Sequence, residues 1–150
     1  MRFNLKRELK PTWSNRSRDL EEVLAVDDVF TENDYDWIYR HRECSIYKTV
    51  DANNKINGVI CRMFLRDEIV ILRLVATSVE LFQDIVDYVF HIFEINKNRQ
   101  IMTIIVYETG DLAADTAFCN VLKARQPKSV TEKENQQRAC YHFRFEKLLT

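Results

Sequence analysis

Glycine is nearly absent. Gly58 and Gly110 are the only two in 150 residues, against an average usage of about 7%. Phosphate-binding loops of the Walker or dinucleotide type need several glycines, because backbone amides must approach the phosphates without intervening β-carbons. Neither loop can be drawn on this chain. Proline is equally scarce, at Pro11 and Pro127, and no Gly/Ser-rich tract, internal repeat or low-complexity segment marks a linker. No apolar run approaches the ~20 residues of a membrane span, so no membrane contact is expected. The charges at Arg2, Lys6, Arg7 and Glu8 are not followed by the apolar stretch of a secretory signal. An excess of one charge is also missing. With 22 Lys+Arg against 23 Asp+Glu and a net charge of -1, the chain lacks the basic surplus of a general polyanion binder.

Paired motifs are missing too. Cys44, Cys61, Cys119 and Cys140 stand far apart with no Cys-x-x-Cys, which excludes zinc-ribbon and thioredoxin-type sites. Reduced thiols in a cytoplasmic protein are the simplest reading. No metal is expected. His41 and Glu43 lack the Pro-Cys-x-x-Cys partner of a zinc deaminase, and His91 and Glu94, one helical turn apart, have no third ligand at a suitable spacing. A Gly-x-Ser-x-Gly nucleophile elbow is absent.

What is present fits one domain over residues 1–150, with 46% hydrophobic residues to fill a single core. Residues 3–13 hold a weakly signalled strand. From Ser17, apolar Leu20, Val23, Leu24 and Val26 alternate with Glu21, Glu22, Asp27 and Asp28 at roughly helical spacing. Acids in its first turn suit the positive end of the helix dipole. Thr31 opens a second helix that buries Tyr35, Ile38 and Tyr39 and ends near Arg40–Arg42. Strands follow over Cys44–Val50, Gly58–Phe64 and Glu68–Val75, with a hairpin turn at Asp51–Asn54 and a tight turn at Arg66–Asp67. The third of these is almost continuously apolar, as a central strand covered on both faces should be. Phe82, Ile85, Val86, Val89, Phe90 and Phe93 then form an amphipathic helical stripe, and Thr77 with Glu80 has the form of a capping box. A buried strand at Ile101–Tyr107 and a helix at Asp111–Lys123 come next. Thr131–Arg138 reads as an exposed polar loop, and Ala139–Glu146 alternates as a half-buried last strand. A meander running into a strand–helix–strand crossover implies an α/β fold with a mixed, mostly antiparallel central sheet flanked by helices.

This order resembles the GNAT N-acetyltransferase superfamily, and the local text is most similar to its ribosomal-protein-alanine acetyltransferase branch. The matching pieces are Arg18–Phe30 in the first helix, Thr31–Asp34 at the second, Arg40–Cys44 at the second strand, Asn57–Ile60 in the third, Leu72–Val75 in the fourth and Val106–Gly110 at the fifth. The resemblance covers about residues 17–146.

The resemblance implies acetyl-CoA as cofactor and transfer of its acetyl group to an amine. Leu74, Val75 and Ala76 of the fourth strand, with Gln83 and Ile85 of the following helix, would hold the coenzyme. The glycine-bearing pyrophosphate loop of such enzymes falls on Phe82–Asp87, where no glycine stands. No Lys or Arg lies between Arg73 and Lys97, and Glu80, Asp84 and Asp87 crowd the first turns. A carboxylate about 4 Å from a phosphate costs from ~1 kcal/mol in bulk water to ~4 at an effective dielectric of 20. The branch's general base falls on Ile105, its tyrosine acid near Ala117 or Phe118, and Gly110 replaces an Asn. Glu108 as base and Tyr107 as acid are the substitutes nearby. The expectation is therefore an acetyltransferase homologue with weakened or lost coenzyme binding, the alternative being a non-catalytic scaffold that binds a protein or peptide partner. A closed gap between the fourth and fifth strands would accompany the second. A basic-aromatic cluster, Trp37, Tyr39, Arg40, His41 and Arg42, could stack on nucleic acid, but helix packing explains its aromatics, so nucleic acid is the weakest reading.

Overall fold

The structure, a computed structural model, describes residues 9–147. In chain order it places β1 (Thr12–Trp13), α1 (Arg16–Val26), α2 (Glu32–Arg40), β2 (Cys44–Val50), β3 (Ile56–Phe64) and β4 (Glu68–Ala76), then α3 (Val79–Ile95), β5 (Ile101–Tyr107), α4 (Leu112–Lys123), β6 (Ser129–Asn135) and β7 (Arg138–Glu146). All strands share a seven-stranded sheet in the order β1-β2-β3-β4-β5-β7-β6. Every pairing is antiparallel except β4 with β5, which α3 joins as a crossover. The mixed, mostly antiparallel α/β sheet expected from the sequence is the one found. Of the early strand read over residues 3–13, only Thr12–Trp13 is a strand among the described residues, and residues 3–8 lie outside them.

Two cores lie on opposite faces of the sheet. Phe82, Ile85, Val86, Val89 and Phe93 of α3 pack on Ile69, Ile71 and Leu74 of β4 and Ile104 of β5. On the other face, Val23 of α1 with Tyr35 and Ile38 of α2 cover Ile46, Val59, Cys61 and Val75. The helical stripes read from the sequence are thus the buried faces. Gly58 sits where α3 comes close. A β-carbon there would lie 2.4 Å from Thr49 Oγ1, 2.9 Å from Ile85 Cδ1 and 3.2 Å from the Val75 carbonyl.

Three local expectations are corrected. The cap of α3 is Ser78, whose hydroxyl accepts from Leu81 N at 3.1 Å, and not the Thr77–Glu80 box. Asp27, assigned to the polar side of the first helix, is buried and closes α1 as its C-cap. The segment read as a loop over Thr131–Arg138 holds most of β6 and the turn into β7. The seven residues of β6 are exposed on both faces, so it carries no apolar alternation to signal a strand, and it forms by pairing along β7 from Ser129–Arg144 to Asn135–Arg138. The turn between them uses left-handed backbone at Gln136 and Gln137 (φ 52° and 64°).

One irregularity prepares the site. In the β3–β4 pairing Cys61 faces Arg73 but the next residue, Arg62, faces Ile71, so Leu72 is an extra residue in β4. Such a bulge re-aims the side chains beside it. Ile69 and Ile71 face α3 before it and Leu74 does so after it, while Leu72 and Val75 pack toward α1 and α2.

Candidate functional site

Parallel pairing of β4 with β5 runs from Glu68–Ile101 to Ile71–Ile104. Past the bulge the two strands continue to Ala76 and Tyr107 without further pairing, and a cavity of about 240 Å³ opens between them. The gap is therefore open. Arg73, Leu74, Val75 and Ala76 line it from β4 and Val106 and Tyr107 from β5. Phe82 and Phe118 close one side, stacked with ring centroids 4.2 Å apart. Asp28 and Asp111 also line it.

A buried ion pair stands at this gap. Arg73 donates from Nη2 to Asp27 Oδ1 at 2.9 Å and from Nε to both carboxylate oxygens at 3.2 and 3.3 Å, while its Nη1 donates to the Leu74 carbonyl at 3.2 Å. The side chains of Arg73 and Asp27 are 7% and 0% exposed. Asp27 also accepts from the amides of Val29 and Phe30 at 2.8 and 3.0 Å and from the Tyr35 hydroxyl. Burial pushes the Asp27 carboxyl up. The guanidinium and the donated hydrogen bonds outweigh it and hold the group below the usual carboxylate range. Burial, then the nearby Cys61 and Asp27, push the Tyr35 phenol well above its ordinary value. The guanidinium lies 5.6 Å from the Phe30 ring centroid and 5.9 Å from that of Tyr107.

A second cavity, about 650 Å³, lies on the α2 side of the same sheet. Phe30, Trp37 and Ile38 form one wall, Leu72 and Tyr107 the floor, and the β6–β7 turn the other wall with Asn135, Gln136 and Arg138. Arg138 Nη2 reaches Asp34 Oδ2 at 2.9 Å, linking β7 to α2. The carboxylate of Asp34 is fixed from two sides, because it also completes the capping box with Thr31. Tyr107 borders both cavities. Its hydroxyl is held by Asn135 Nδ2 at 3.2 Å, and its ring meets Phe30 edge-on at 5.2 Å. Burial raises the Tyr107 phenol above its ordinary value despite the Asn135 hydrogen bond, so it carries its proton at neutral pH.

The residues expected from the sequence are only partly brought together. Leu74, Val75, Ala76 and Tyr107 meet at the gap. Glu108 follows Tyr107 but turns to the opposite face, where it accepts from the Tyr141 hydroxyl at 2.9 Å and is exposed. That bond pushes the Tyr141 phenol up to about 12. Ile85 is fully buried in the α3 core, and Gln83 is an exposed residue in the second turn of α3. Ile105, at the expected position of a base, is buried toward Val29 and Phe30. Phe118, near the expected position of an acid, lines the gap and has no proton to give. Sequence reasoning missed Asp27, Arg73, Arg138, Asn135 and Gln136. The legible signal was Arg73, a lone charge inside the apolar run Ile69–Val75.

The fold of this chain, a seven-stranded mixed sheet with flanking helices, is similar to that of solved acetyltransferases. A ribosomal-protein-alanine N-acetyltransferase from Escherichia coli superposes with a TM-score of 0.67 at 9% identity, over 94% of this chain and 95% of that one. The chain has the GNAT fold. An aminoglycoside 6'-N-acetyltransferase from Enterococcus faecium gives a TM-score of 0.64 at 10% identity, over 92% of this chain and 97% of that one. A spermidine N-acetyltransferase from Vibrio cholerae, solved with CoA and spermine, gives 0.59 at 10% identity, over 93% and 95%. No protein-family model and no curated protein sequence matches the chain. Among the described residues of this GNAT-fold chain, no group of three His, Cys, Asp or Glu could hold a metal, and no helix is long and apolar enough to cross a membrane.

Proposed function

We propose that this chain is a GNAT-fold binding protein with little or no hold on acetyl-CoA. The observation that carries the reading is the β4–α3 connection. Only Thr77 and Ser78 separate β4 from α3, so Phe82–Asp87, the stretch aligned with a pyrophosphate loop, lies wholly inside the helix. Its amides are committed to helical hydrogen bonds, and a helix N-terminus offers an anion only the free amides of its first turn. Here Ser78 Oγ takes one of them, and Glu80 stands exposed in that turn. Asp28 and Asp111 line the neighbouring gap, and Arg73 is already paired with Asp27. The residues present do not fit the pyrophosphate end of the coenzyme. The ligand is a protein or peptide partner, met in a reducing compartment that suits four free thiols.

One observation favours a second reading, slow acetyl transfer to an amine. The gap between β4 and β5 is open, and Tyr107 stands in it as a protonated phenol, as an acid for a departing thiolate must be.

Titration with acetyl-CoA separates the two. The expected result is no rise in melting temperature and no amide shift at Thr77–Leu81 with millimolar coenzyme. Ligand at a hundredfold excess over its dissociation constant adds ~2.7 kcal/mol of stability, so a clear thermal shift would overturn the first reading.

A further inference from the structure

Five side chains form a continuous line across β1, β2, β3 and the segment before β5: Trp13, Tyr47, Arg62, Phe64 and Arg99. Trp13 lies on Tyr47 with ring centroids 4.5 Å apart. The Arg62 guanidinium stands 4.2 Å from the Tyr47 ring centroid and 4.8 Å from that of Phe64, and the Arg99 guanidinium stands 4.8 Å from Phe64. Strand register makes the line. Trp13 pairs with Tyr47 across β1–β2, and Arg62 pairs with Ser45 on β2 and with Ile71 on β4. The line therefore extends the α3 side of the sheet, where Tyr47 and Ile71 pack. Trp13 is 65% exposed at its end, and Arg62, Phe64 and Arg99 are half-buried. We propose that this face binds single-stranded nucleic acid, stacking a base on Trp13 and taking phosphates on Arg62 and Arg99. None of the five lines the β4–β5 gap or the α2 cleft, so the site is independent of the coenzyme and partner readings.

Charge points to an anionic occupant. Among the described residues, neither guanidinium is spent on a carboxylate. Arg62 donates from Nε to Ser45 Oγ at 3.2 Å and from Nη2 to the Tyr47 hydroxyl at 2.6 Å. Arg99 donates from Nε to the Leu65 carbonyl at 2.9 Å and from Nη1 to Asn96 Oδ1 at 3.4 Å. Arg16, Arg73, Arg125 and Arg138, by contrast, each meet a carboxylate. Neutral acceptors and ring faces hold Arg62 and Arg99 in place and leave their charge whole, so an anion meets donors that have already lost their rotamer freedom. A guanidinium has five N–H donors, which leaves each of the two with donors for a phosphate oxygen. The exposed face of Trp13 asks in addition for a planar group. A phosphodiester chain with unpaired bases supplies both. An acidic peptide supplies only the charge, and a duplex keeps its bases stacked on one another. The net charge of -1 gives no long-range pull, so recognition is local: two phosphates and one base.

The test follows a fluorescein-labelled thymine decamer by anisotropy with the whole chain. Log affinity is expected to fall with log salt at a slope of about -1.4, the value for two phosphates of a single strand. Arg62→Gln and Arg99→Gln are each expected to weaken binding and bring the slope to about -0.7, whereas Arg62→Lys, which keeps the charge, leaves it near -1.4. Trp13→Ala is expected to weaken binding roughly tenfold through lost stacking, with the slope unchanged. In a Trp37→Phe variant, where Trp13 is the remaining tryptophan, the decamer is expected to quench the emission saturably. Circular dichroism checks that each variant folds. An abasic strand of the same length binding as tightly as the decamer would overturn the inference, as would a glutamate decapeptide displacing it equally well, or no anisotropy rise at about 0.1 mM protein. Coenzyme is left out throughout, so failure here leaves the acetyl-CoA titration to stand or fall separately.

Discussion

Arg73 and Asp27, 46 positions apart, form a buried two-pronged contact in which three hydrogen bonds of 2.9–3.3 Å join the bulged central strand to the end of the first helix. The geometry satisfies most of what a buried charge requires. The Leu74 carbonyl takes Arg73 Nη1, and two amides and the Tyr35 hydroxyl take the remaining capacity of Asp27. Taking away one partner strands the other in a low-dielectric interior, which costs about 3–5 kcal/mol, whereas replacing both with apolar groups is often near neutral. Asp27→Leu and Arg73→Leu are each expected to lower the unfolding free energy by about that amount. Asp27→Leu combined with Arg73→Leu is expected to cost far less than the sum of the singles. A double-mutant cycle from urea unfolding measures this, and strict additivity would refute the coupling.

In the folded protein Asp19, Asp27, Asp34 and Asp36 all titrate below their ordinary value, Asp36 through its hydrogen bond from Arg16, and this fixes the sign of an acid dependence. Burial raises Asp19, Asp27 and Asp34, but their cationic partners and donated hydrogen bonds outweigh it and leave each lowered. Asp19 is held by Arg18 and Lys48, Asp27 by Arg73, and Asp34 by Thr31 and Arg138. The unfolded chain has a carboxyl value of about 3.9, so it binds more protons than the native state in the window beneath that value. Stability from these groups is fully present above about pH 4 and is lost as pH falls through the lower folded values. Urea unfolding between about pH 6 and pH 2 is expected to show stability falling with acid, and Asp27→Asn is expected to flatten that slope. An unchanged slope in the variant would show that folding does not lower the Asp27 carboxyl below its unfolded value.

Much of the fold was legible because its elements announce themselves by period. The α3 stripe from Phe82 to Phe93 and the apolar run of β4 have one reading each. β6 was not legible, because a strand exposed on both faces has no inside to mark, and only its pairing with β7 defines it. The site divides in the same way. Leu74, Val75 and Ala76, assigned by the family resemblance, and Tyr107, named as a substitute acid, do meet at the gap. Glu108 was one residue too far along, and a step of one in a strand reverses the face. The cleft depends on Asp34 and Arg138, 104 positions apart, a distance that no local pattern spans.

The start of α3 has a simple test. Ser78 is the N-cap by geometry, and Thr77 precedes the helix with its amide bonded to the Asn57 carbonyl at 3.0 Å. Loss of a Ser cap costs about 1 kcal/mol. Ser78→Ala is therefore expected to lower stability by about 1 kcal/mol, while Thr77→Ala leaves it within about 0.5 kcal/mol, as exposed substitutions usually do. Thermal or urea unfolding of the two variants decides the register. The reverse order would restore the Thr77–Glu80 box and move the helix start by a residue.

The β6–β7 turn carries strain that a single substitution can release. Gln137 sits at φ 64° and Gln136 at φ 52°, both in the left-handed region, where a residue with a β-carbon costs roughly 1–2 kcal/mol. Two-residue hairpin turns of this hand favour Asn followed by Gly for that reason. Gln136 borders the cleft and is left in place, whereas Gln137 is exposed and lines neither cavity. Gln137→Gly is expected to raise stability by about 1 kcal/mol. The readout that matters is local. A turn that closes more readily holds Ser129–Asn135 against β7, so the amides of β6 that bond to β7 should exchange more slowly in the variant, while those of α3 change no more than global stability requires. Because the same hairpin carries Asn135 and Arg138 to the cleft, slower exchange in β6 would tie the cleft wall to the turn. Unchanged β6 exchange with a rise in global stability would mean that the strand is not held by this turn, and the wall would need another support.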